Sequence, residues 1–320
     1  MRKEKHKIRV GITMGDPSGI GPAITAKAIN KLGAIADFTV IGDEWVFNRA
    51  ISSELTAQSY KFINLNNVSH KKFKFGKVRA EYGRASVEYL DKAIELIENK
   101  RIDCLVTCPI SKDAIHLAGF DNFSGHTEYL AARTKAACFA MMLLNRKLKF
   151  SLVTRHIPLK YVPARLDADK IYKTILLTHR SLKELFLIKN PRIGVCGLNP
   201  HASDNGLLGA EENKIIKPAL MRVAKSIRNI EGPLPADVAV LKAVQKKYDC
   251  LIAMYHDQAL IPLKLSGAYT GVNLTLGLRF IRTSPLHGTA FDIAGKFNLA
   301  NPSSLIAAIK LAIKLTKNAH

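Results

Sequence analysis

The stretch Asp249-Cys-Leu-Ile-Ala-Met-Tyr-His-Asp-Gln258 decides the predicted fold. Its apolar run, Leu251 to Met254, is too short for a stable helix and is typical of a buried β-strand. Side chains that can form hydrogen bonds follow the run at once, from Tyr255 to Gln258. In open α/β sheets, ligands bind just beyond the carboxyl ends of the strands. The stretch therefore predicts a strand that delivers His256 to a binding site.

Two other predicted strands end in the same way. The run 150–155 leads into His156, and the run 192–198 leads into His201. If the strands are parallel neighbours, their histidines lie at one sheet edge and can converge on a divalent metal such as zinc or cobalt. A single histidine is more often packed or hydrogen-bonded than a ligand, and these spacings match no local zinc motif. The pattern alone leaves both interpretations open.

Several polar residues near the third strand or beyond it are further candidates. Asp257 is next to His256, where it could orient the imidazole or act as another ligand. Lys264 is either a surface lysine or, beside a metal, a proton-transfer group. Arg282 suits a phosphate or carboxylate as well as it suits a structural ion pair. Asn273 lies between apolar residues and needs a hydrogen-bond partner, for which a substrate is one option.

Strands and helices alternate along the chain, which predicts an α/β fold with a largely parallel sheet. A hairpin is expected at 140–153, and Gly232-Pro-Leu-Pro-Ala-Asp237 is expected to be a rigid loop. The other predicted strands are 8–14, 38–42 and 103–109, and the predicted helices are 23–32, 85–99, 167–187 and 238–247.

A glycine-rich turn follows the first predicted strand, with the sequence Gly15-Asp-Pro-Ser-Gly-Ile-Gly-Pro22. A turn of this kind before a helix can hold an anion on backbone N–H groups. Its spacing is not that of the G-x-G-x-x-G dinucleotide fingerprint. A plain tight turn and a phosphate cradle are therefore both open interpretations.

Composition narrows the class of protein. The chain has 320 residues and a formal net charge of +22, but its lysines and arginines are scattered, so a solvated surface is favoured over nucleic-acid binding. No apolar run is long enough to span a membrane. The basic segment Met1 to Lys7 lacks the apolar core of a signal peptide. Five cysteines without a metal-binding spacing are typical of a reducing compartment, so a cytoplasmic protein is expected.

Taken together, the motifs resemble those of the 4-hydroxythreonine-4-phosphate dehydrogenase family of pyridoxal phosphate biosynthesis, in the family's order and over nearly the whole chain. The matching segments are Gly15-Asp-Pro-Ser-Gly-Ile-Gly-Pro22, Ser124-Gly-His-Thr-Glu128, His156-Ile-Pro-Leu159, Gly197-Leu-Asn-Pro-His201, Gly232-Pro-Leu-Pro-Ala-Asp237, Tyr255-His-Asp-Gln258, Val272-Asn273, Ile281-Arg-Thr-Ser284 and His287-Gly-Thr-Ala290.

The resemblance implies a two-domain fold like that of the isocitrate and isopropylmalate dehydrogenases, with largely parallel sheets, flanking helices and a cleft between the domains. We expect a cofactor-side domain of residues 1–125 with 265–320. Residues 126–264 would form the metal, substrate and dimerisation domain. The family's homodimers share their active sites between subunits, so the three histidines need not come from one chain.

Particular roles are implied by the matching motifs. They imply that His156, His201 and His256 are metal ligands, and that Lys264 and Asp257 are catalytic residues. The substrate would be bound by His126, Thr127, Lys264, Asn273 and Arg282. By likeness to the adenosine loop of the isopropylmalate dehydrogenases, the cofactor would be bound by His287, Gly288, Thr289 and Asp292.

The implied reaction is oxidation of 4-phosphohydroxy-L-threonine to 2-amino-3-oxo-4-phosphobutanoate, which decarboxylates to 3-amino-2-oxopropyl phosphate. It would use NAD or NADP and one divalent ion, namely zinc, magnesium or cobalt. Arg279 and Leu286 depart from the family's residues beside the cofactor loop, which leaves the choice of dinucleotide open. Two alternatives remain at this point, a sister dehydrogenase acting on phosphothreonate and a non-catalytic basic binding protein. Neither nucleic acid nor membrane is an expected partner of the dehydrogenase.

Overall fold

A computed structural model describes residues 7–50 and 60–319, which divide into two compact units. The first unit runs to Ala136 and includes Leu278–Asn318, and the second is Ala137–Gly277. The basic N-terminus up to His6 lies outside the described residues. Among the described residues, no helix has the length and apolar character needed to cross a membrane.

The secondary structure alternates as predicted. The strands are β1 (Arg9–Thr13), β2 (Asp37–Gly42), β3 (Tyr60–Asn64), β4 (Cys104–Thr107), β5 (Ala140–Leu144), β6 (Lys149–Leu152), β7 (Ile193–Cys196), β8 (Ile230–Leu234), β9 (Cys250–Ala253), β10 (Val272–Leu276) and β11 (Ile281–Pro285). The helices are α1 (Gly21–Leu32), α2 (Glu44–Arg49), α3 (Ala80–Glu98), α4 (Lys112–Leu117), α5 (His126–Arg133), α6 (Val162–Arg165), α7 (Ala168–Glu184), α8 (Lys217–Ala224), α9 (Ala236–Val244), α10 (His256–Gly267) and α11 (Ser303–Ala319).

The first unit contains a parallel sheet in the order β3-β2-β1-β4-β11. Its central strand β1 is buried along most of its length, as expected for a strand covered on both faces. The predicted amphipathic helix is α3, which buries Val87, Leu90 and Ile94 on one face. At the end of β1, Gly15 has a φ of +71°, and an added Cβ would lie 2.2 Å from the carbonyl oxygen of Pro109. The turn after β1 therefore requires glycine at this position.

The second unit contains a sheet in the order β10-β5-β6-β9-β7-β8. β5 and β6 form the predicted hairpin, and Asn145 Oδ1 accepts hydrogen bonds from the N–H groups of Lys147 and Leu148 in its turn. β9 pairs in parallel with β6 on one side and with β7 on the other. The three strands that lead into histidines are thus consecutive parallel neighbours, with the stretch 249–258 at their centre. The condition for convergence of the histidines, that their strands are parallel neighbours, is therefore met.

One local prediction was wrong, and one helix was not predicted. The proline-rich segment 232–237 is not only a loop, because its first half belongs to β8, which pairs in parallel with β7. Pro233 has no N–H group to donate, and it is tolerated because β8 is the last strand in the sheet order. The polar residues from His256 onward begin α10, which the sequence pattern did not predict. Pro262 lies inside this helix, where proline normally argues against helix.

The boundaries between the two units lie at 136/137 and 277/278, later in the chain than the expected boundaries at 125/126 and 264/265. α5 stays with the first unit because Tyr129 packs against a core cluster that includes Leu90 of α3, and its hydroxyl donates to Asp91 Oδ1 at 2.7 Å. Asn273 belongs to the second unit because β10 pairs with β5, opposite Leu143.

Candidate active site

The carboxyl ends of β6 and β9 bring two of the predicted metal ligands together. The ring centroids of His156 and His256 are 5.4 Å apart and the rings are tilted by 47°. Two imidazoles that bind one zinc ion at about 2.0–2.1 Å have ring centroids roughly 5–5.5 Å apart at a tetrahedral angle. The pair therefore fits a shared divalent ion.

His201 does not complete that pair within one chain. No group of three or more histidine, cysteine, aspartate or glutamate side chains in residues 7–50 and 60–319 is close enough to hold a metal ion. The side chain of His201 is exposed, as is that of His156. Two imidazoles leave positions open for further ligands on a divalent ion.

The backbone at these histidines has an unusual conformation. His156 has a φ of +46°, and five consecutive residues from His201 to Asn205 have φ between +46° and +69°. Left-handed backbone costs on the order of 1–2 kcal/mol for each non-glycine residue, and such strained positions cluster at functional sites. Backbone strain at His156 and His201, two of the three candidate metal ligands, supports a functional role for these residues.

A buried carboxylate holds the left-handed turn in place. Glu212 is fully buried at the start of a π-helical turn, Glu212–Ile216, that leads into α8. Its Oε1 accepts hydrogen bonds from the N–H groups of Leu198 and Asn199, both at 2.8 Å. Its Oε2 accepts from Asn199 Nδ2 at 2.9 Å. These three hydrogen bonds fix the segment between β7 and His201.

The side chains after His256 have different environments. Asp257 Oδ1 lies 3.1 Å from His256 Nδ1, so an Nδ1–H tautomer would donate to the carboxylate and leave Nε2 with a lone pair for a metal. Lys264 lies two turns further along α10, and its side chain is exposed. Asn273 Oδ1 is buried without a hydrogen-bond partner in the described residues. An orphaned buried oxygen of this kind is suited to a ligand that donates a hydrogen bond.

The first unit holds a separate group of predicted substrate residues. Arg282 is fully buried on β11, and its Nη2 donates to Thr107 Oγ1 on β4 at 2.5 Å. Burial lowers the pKa of Arg282 to about 9, against the opposing effect of the nearby carboxylate of Glu128. A buried guanidinium with a fixed orientation is well suited to a phosphate or carboxylate.

His126 and Thr127 form the first turn of α5 near this arginine. Burial, together with the positive charges of Arg282 and Lys112, lowers the pKa of His126 well below its usual value. His126 Nε2 is buried and has no hydrogen-bond partner among the described residues. Thr127 is almost fully buried. A neutral imidazole between two cations, at a helix N-terminus, favours an anionic ligand.

The glycine-rich turn does not provide a phosphate cradle. The N–H of Asp16 donates to Pro109, that of Gly19 to Asp16, and that of Ile20 to Thr289, at 2.9–3.0 Å. The N–H of Ser18 donates to Asp16 Oδ1 at 2.8 Å. Since these N–H groups are used within the chain, the tight-turn interpretation fits the structure. The hydrogen bond to Thr289 instead makes the turn a support for the candidate cofactor loop.

That cofactor loop is open to solvent at the predicted residues. His287, Gly288 and Asp292 are exposed, and a Cβ added to Gly288 would meet nothing within 4 Å. Leu286 anchors the start of the loop by donating its N–H to Ser304 Oγ at 3.0 Å. An exposed carboxylate beside bare backbone fits a ribose and its attached base, because acidic residues bind ribose hydroxyls in dinucleotide sites.

Some side chains around these sites were not predicted as site residues. Thr107 and Glu128 lie near the buried arginine, Lys112 lies near His126, and Glu212 supports the histidine turn. Thr107 had a detectable signal, since it is a polar residue near the carboxyl end of a predicted buried strand. The others act through contacts between distant parts of the chain, which a single sequence does not reveal.

Comparisons with known proteins agree over most of the chain. Residues 31–312 match the family described as pyridoxal phosphate biosynthetic protein PdxA. A 4-hydroxythreonine-4-phosphate dehydrogenase of Sulfurihydrogenibium sp. is 44% identical over 322 residues, covering 97% of this chain and 99% of the relative. A D-threonate 4-phosphate dehydrogenase of Salmonella typhimurium is 39% identical over 327 residues, covering 96% and 98%.

A solved structure is similar over the same extent. The crystal structure of a 4-hydroxythreonine-4-phosphate dehydrogenase from Klebsiella pneumoniae aligns with a TM-score of 0.83 at 34% sequence identity. The alignment covers 98% of this chain and 100% of that one. The similarity therefore extends over both units, and the family match at residues 31–312 includes every predicted metal, substrate and cofactor residue.

Proposed function

Since the chain belongs to the family of pyridoxal phosphate biosynthetic protein PdxA, we propose that it is a nicotinamide-dependent dehydrogenase that oxidises 4-phosphohydroxy-L-threonine. The observation that carries the proposal is the set of adjacent parallel strands β6, β9 and β7, each leading into a histidine. That arrangement gives a metal-assisted alcohol oxidation its ligands at one sheet edge.

The reaction converts the secondary alcohol of the substrate to a ketone. The carbon loses a hydride to NAD or NADP, and the hydroxyl oxygen loses a proton to a base. The product, 2-amino-3-oxo-4-phosphobutanoate, is a β-keto acid that loses carbon dioxide to give 3-amino-2-oxopropyl phosphate. A bound divalent ion supplies Lewis-acid stabilisation of negative charge on the reacting oxygen, and the nicotinamide supplies the hydride acceptor.

In the second unit, His156, His201 and His256 would hold the ion. Asp257 would keep the His256 imidazole in the tautomer that offers Nε2, as its 3.1 Å approach to Nδ1 suggests. Lys264, on the helix that begins at His256, would bind the substrate and take the proton from its hydroxyl. The ion would be zinc, magnesium or cobalt, and all three accept imidazole or oxygen ligands.

The remaining substrate residues would bind the polar and charged groups of the molecule. Arg282 and His126 would bind the phosphate, because both lie in a desolvated region that carries positive charge. Thr127 would add a hydroxyl at the start of α5. The orphaned Asn273 Oδ1 would accept a hydrogen bond from a donor group of the substrate.

The dinucleotide would bind at the loop that contains His287, Gly288, Thr289 and Asp292. The support for this assignment is the open backbone at Gly288 and the exposed carboxylate of Asp292. A carboxylate that binds ribose hydroxyls disfavours a 2′-phosphate at that position, so NAD is the expected cofactor over NADP.

The active enzyme would be a homodimer in which the metal site uses both subunits. Two observations support this proposal. No described group of three metal-binding side chains forms within one chain. In addition, the second unit has large exposed apolar side chains on α9 and α10, including Leu241, Ile261 and Leu265. Apolar patches of this kind mark interaction surfaces. The cysteines in the described residues are free, which fits a cytoplasmic enzyme.

A sister activity on D-threonate 4-phosphate is the second candidate, because a relative of that name is 39% identical over nearly the whole chain. The two substrates share a phosphate and a secondary alcohol. They differ at the carbon next to the carboxylate, which carries an amine in one and a hydroxyl in the other.

A substrate panel separates the two candidates. Purified protein with added divalent metal is mixed with NAD and either 4-phosphohydroxy-L-threonine or D-threonate 4-phosphate, and NADH formation is followed by absorbance. The proposal predicts a higher kcat/KM for the amino acid. A higher kcat/KM for the threonate would assign the chain to the sister activity, and no NADH with either would contradict both.

A further inference from the structure

Gln258 joins two strand ends that carry predicted metal ligands. Its Nε2 donates to the carbonyl oxygen of Gly197 at 2.8 Å, and its Oε1 accepts from the N–H of Met254 at 2.7 Å. Gly197 is the first residue after β7, and Met254 is the first residue after β9. The last paired residues of these strands are Val195 and Ile252. The side-chain amide therefore continues the β7–β9 ladder beyond the point where backbone pairing ends.

The same network extends to the third strand. The hydroxyl of Thr154 donates to the carbonyl oxygen of Met254 at 2.6 Å, just after the end of β6. Both polar backbone atoms of Met254 are thus engaged, the N–H group by Gln258 and the carbonyl oxygen by Thr154. Thr154, Met254 and Gly197 precede the three histidines by two, two and four residues respectively.

We propose that Gln258 is a positioning residue for the metal site, because it fixes the ends of β7 and β9, from which the segments that carry His201 and His256 continue. The inference rests on the proposed function. Gln258 does not contact substrate or metal in this role, and it acts through the backbone at Gly197 and Met254.

The chemistry of the bridge explains why glutamine suits this position. One end must donate to a carbonyl oxygen and the other must accept from an N–H group, and a side-chain amide offers both at a fixed distance. Methionine has a similar length but can form neither hydrogen bond. Asparagine has both groups, but its shorter side chain cannot span the same gap.

The left-handed turn after β7 makes this bridge important. Five consecutive residues from His201 to Asn205 are strained, so the position of the turn depends on how its two ends are fixed. Glu212 fixes the backbone at Leu198 and Asn199, and Gln258 fixes Gly197 just before them. Without the bridge, the end of β7 can move away from β9, and His201 moves with it.

The test compares metal affinity with stability. Full-length wild-type protein, Gln258→Met, Gln258→Asn and the control Gln245→Met are freed of metal and titrated with Zn²⁺ by calorimetry. Gln245 is exposed at the end of α9 and makes the control a matched substitution. Outer-shell partners of metal ligands typically contribute 10- to 100-fold in affinity. We expect Zn²⁺ to bind Gln258→Met and Gln258→Asn about 10- to 100-fold more weakly, and Gln245→Met like wild type.

A merely structural role would lower the melting temperature of the metal-free variant and leave Zn²⁺ affinity unchanged. That result in either folded Gln258 variant would overturn the inference. A second readout is rescue, since raising the Zn²⁺ concentration should restore NADH formation in Gln258→Asn. If wild type and Gln245→Met also bind no Zn²⁺, the metal site of the proposed function is wrong, and the inference about Gln258 is wrong with it. If they bind Zn²⁺ and the Gln258 variants bind it equally well, only the inference about Gln258 is wrong.

Discussion

At the scale of single residues, the most unusual group is a buried acid in the glycine-rich turn. Asp16 is fully buried, and its Oδ2 has no hydrogen-bond partner among the described residues. Burial raises the pKa of Asp16 to about 6, although two hydrogen bonds from Ser18 oppose the shift. At neutral pH the folded chain therefore carries an unfavourable buried charge.

Replacing Asp16 with asparagine should stabilise the protein above pH 6. A carboxyl whose pKa is raised on folding stabilises the fold below its unfolded pKa, near 3.8, and this stabilisation is lost as the pH rises through about 6. A shift of this size corresponds to a cost on the order of 2–3 kcal/mol at pH 7. Asp16→Asn removes that cost and keeps the acceptor for Ser18.

The measurement is the free energy of unfolding in urea from pH 4 to pH 8. The difference between Asp16→Asn and wild type should grow between about pH 4 and pH 6 and then level off. The exposed Asp121 provides the control Asp121→Asn, which should track wild type. A difference that is the same at every pH would contradict the buried charge.

Arg282 is predicted to determine substrate affinity. Arg282→Lys keeps the positive charge but loses the guanidinium geometry and its hydrogen bond to Thr107. Hydrogen bonds to charged groups contribute about 1.5–3 kcal/mol, so KM for the phosphorylated substrate should rise about 10- to 100-fold. KM for NAD should stay close to wild type. The exposed Arg279 gives the control Arg279→Lys, and equal KM values in both variants would exclude Arg282 from phosphate binding.

At the scale of elements, the turn that carries His201 depends on one buried glutamate. Glu212→Gln replaces a carboxylate that accepts three hydrogen bonds with an amide that has a single acceptor oxygen. We expect the free energy of unfolding to fall by about 2 kcal/mol, because Asn199 Nδ2 loses its hydrogen bond to Oε2 and the N–H groups of Leu198 and Asn199 no longer have a charged acceptor. The half-buried neighbour provides the control Glu211→Gln, which should cost less than half as much in urea denaturation. Equal losses would contradict the anchoring role.

The success of sequence-based prediction also varies between elements. β6, β7 and β9 are predictable because each is a short apolar run with polar residues directly after it. β8 was missed because its prolines are typical of loops, and only its place at the end of the sheet order makes them tolerable. α10 was missed because Pro262 normally breaks a helix.

The candidate site was predictable to a different extent. The three histidines and Arg282 were candidates from the sequence pattern alone, but the substrate-binding role of His126 and the cofactor loop needed the family resemblance. The hydrogen bond between Gln258 and Gly197 joins residues 61 positions apart, so no local pattern reveals it. Positive φ values at His156 and His201 are likewise not predictable from the sequence, since positive φ is uncommon for any residue other than glycine and depends on the surrounding fold.

At the scale of the whole molecule, the exposed apolar residues of the second unit predict an interface. Leu265 is 84% exposed and lies on the same helix as His256. Burying a leucine typically stabilises an association by about 1.5–3 kcal/mol, and a charge at its position adds a desolvation cost. Leu265→Glu should therefore convert the proposed dimer to a monomer in size-exclusion chromatography with light scattering.

The same variant links the interface to the metal site. If both subunits contribute ligands, monomeric Leu265→Glu should bind Zn²⁺ at least tenfold more weakly than wild type. Leu187 is also exposed in the second unit and gives the control Leu187→Glu, which should remain dimeric. A wild-type protein that is monomeric at micromolar concentration would rule out the shared site, as would undiminished metal affinity in a monomer.

The most direct test of the account is metal-dependent NADH formation from 4-phosphohydroxy-L-threonine in wild type, His256→Ala and a control. His70 is an exposed histidine of the first unit that stacks on Trp45, so His70→Ala is the matched control. In wild type, we predict that a chelator abolishes NADH formation and that added Zn²⁺ or Co²⁺ restores it. We predict that His256→Ala has no activity at any metal concentration and that His70→Ala behaves like wild type. Full activity of His256→Ala, or activity that persists after complete removal of metal, would contradict it.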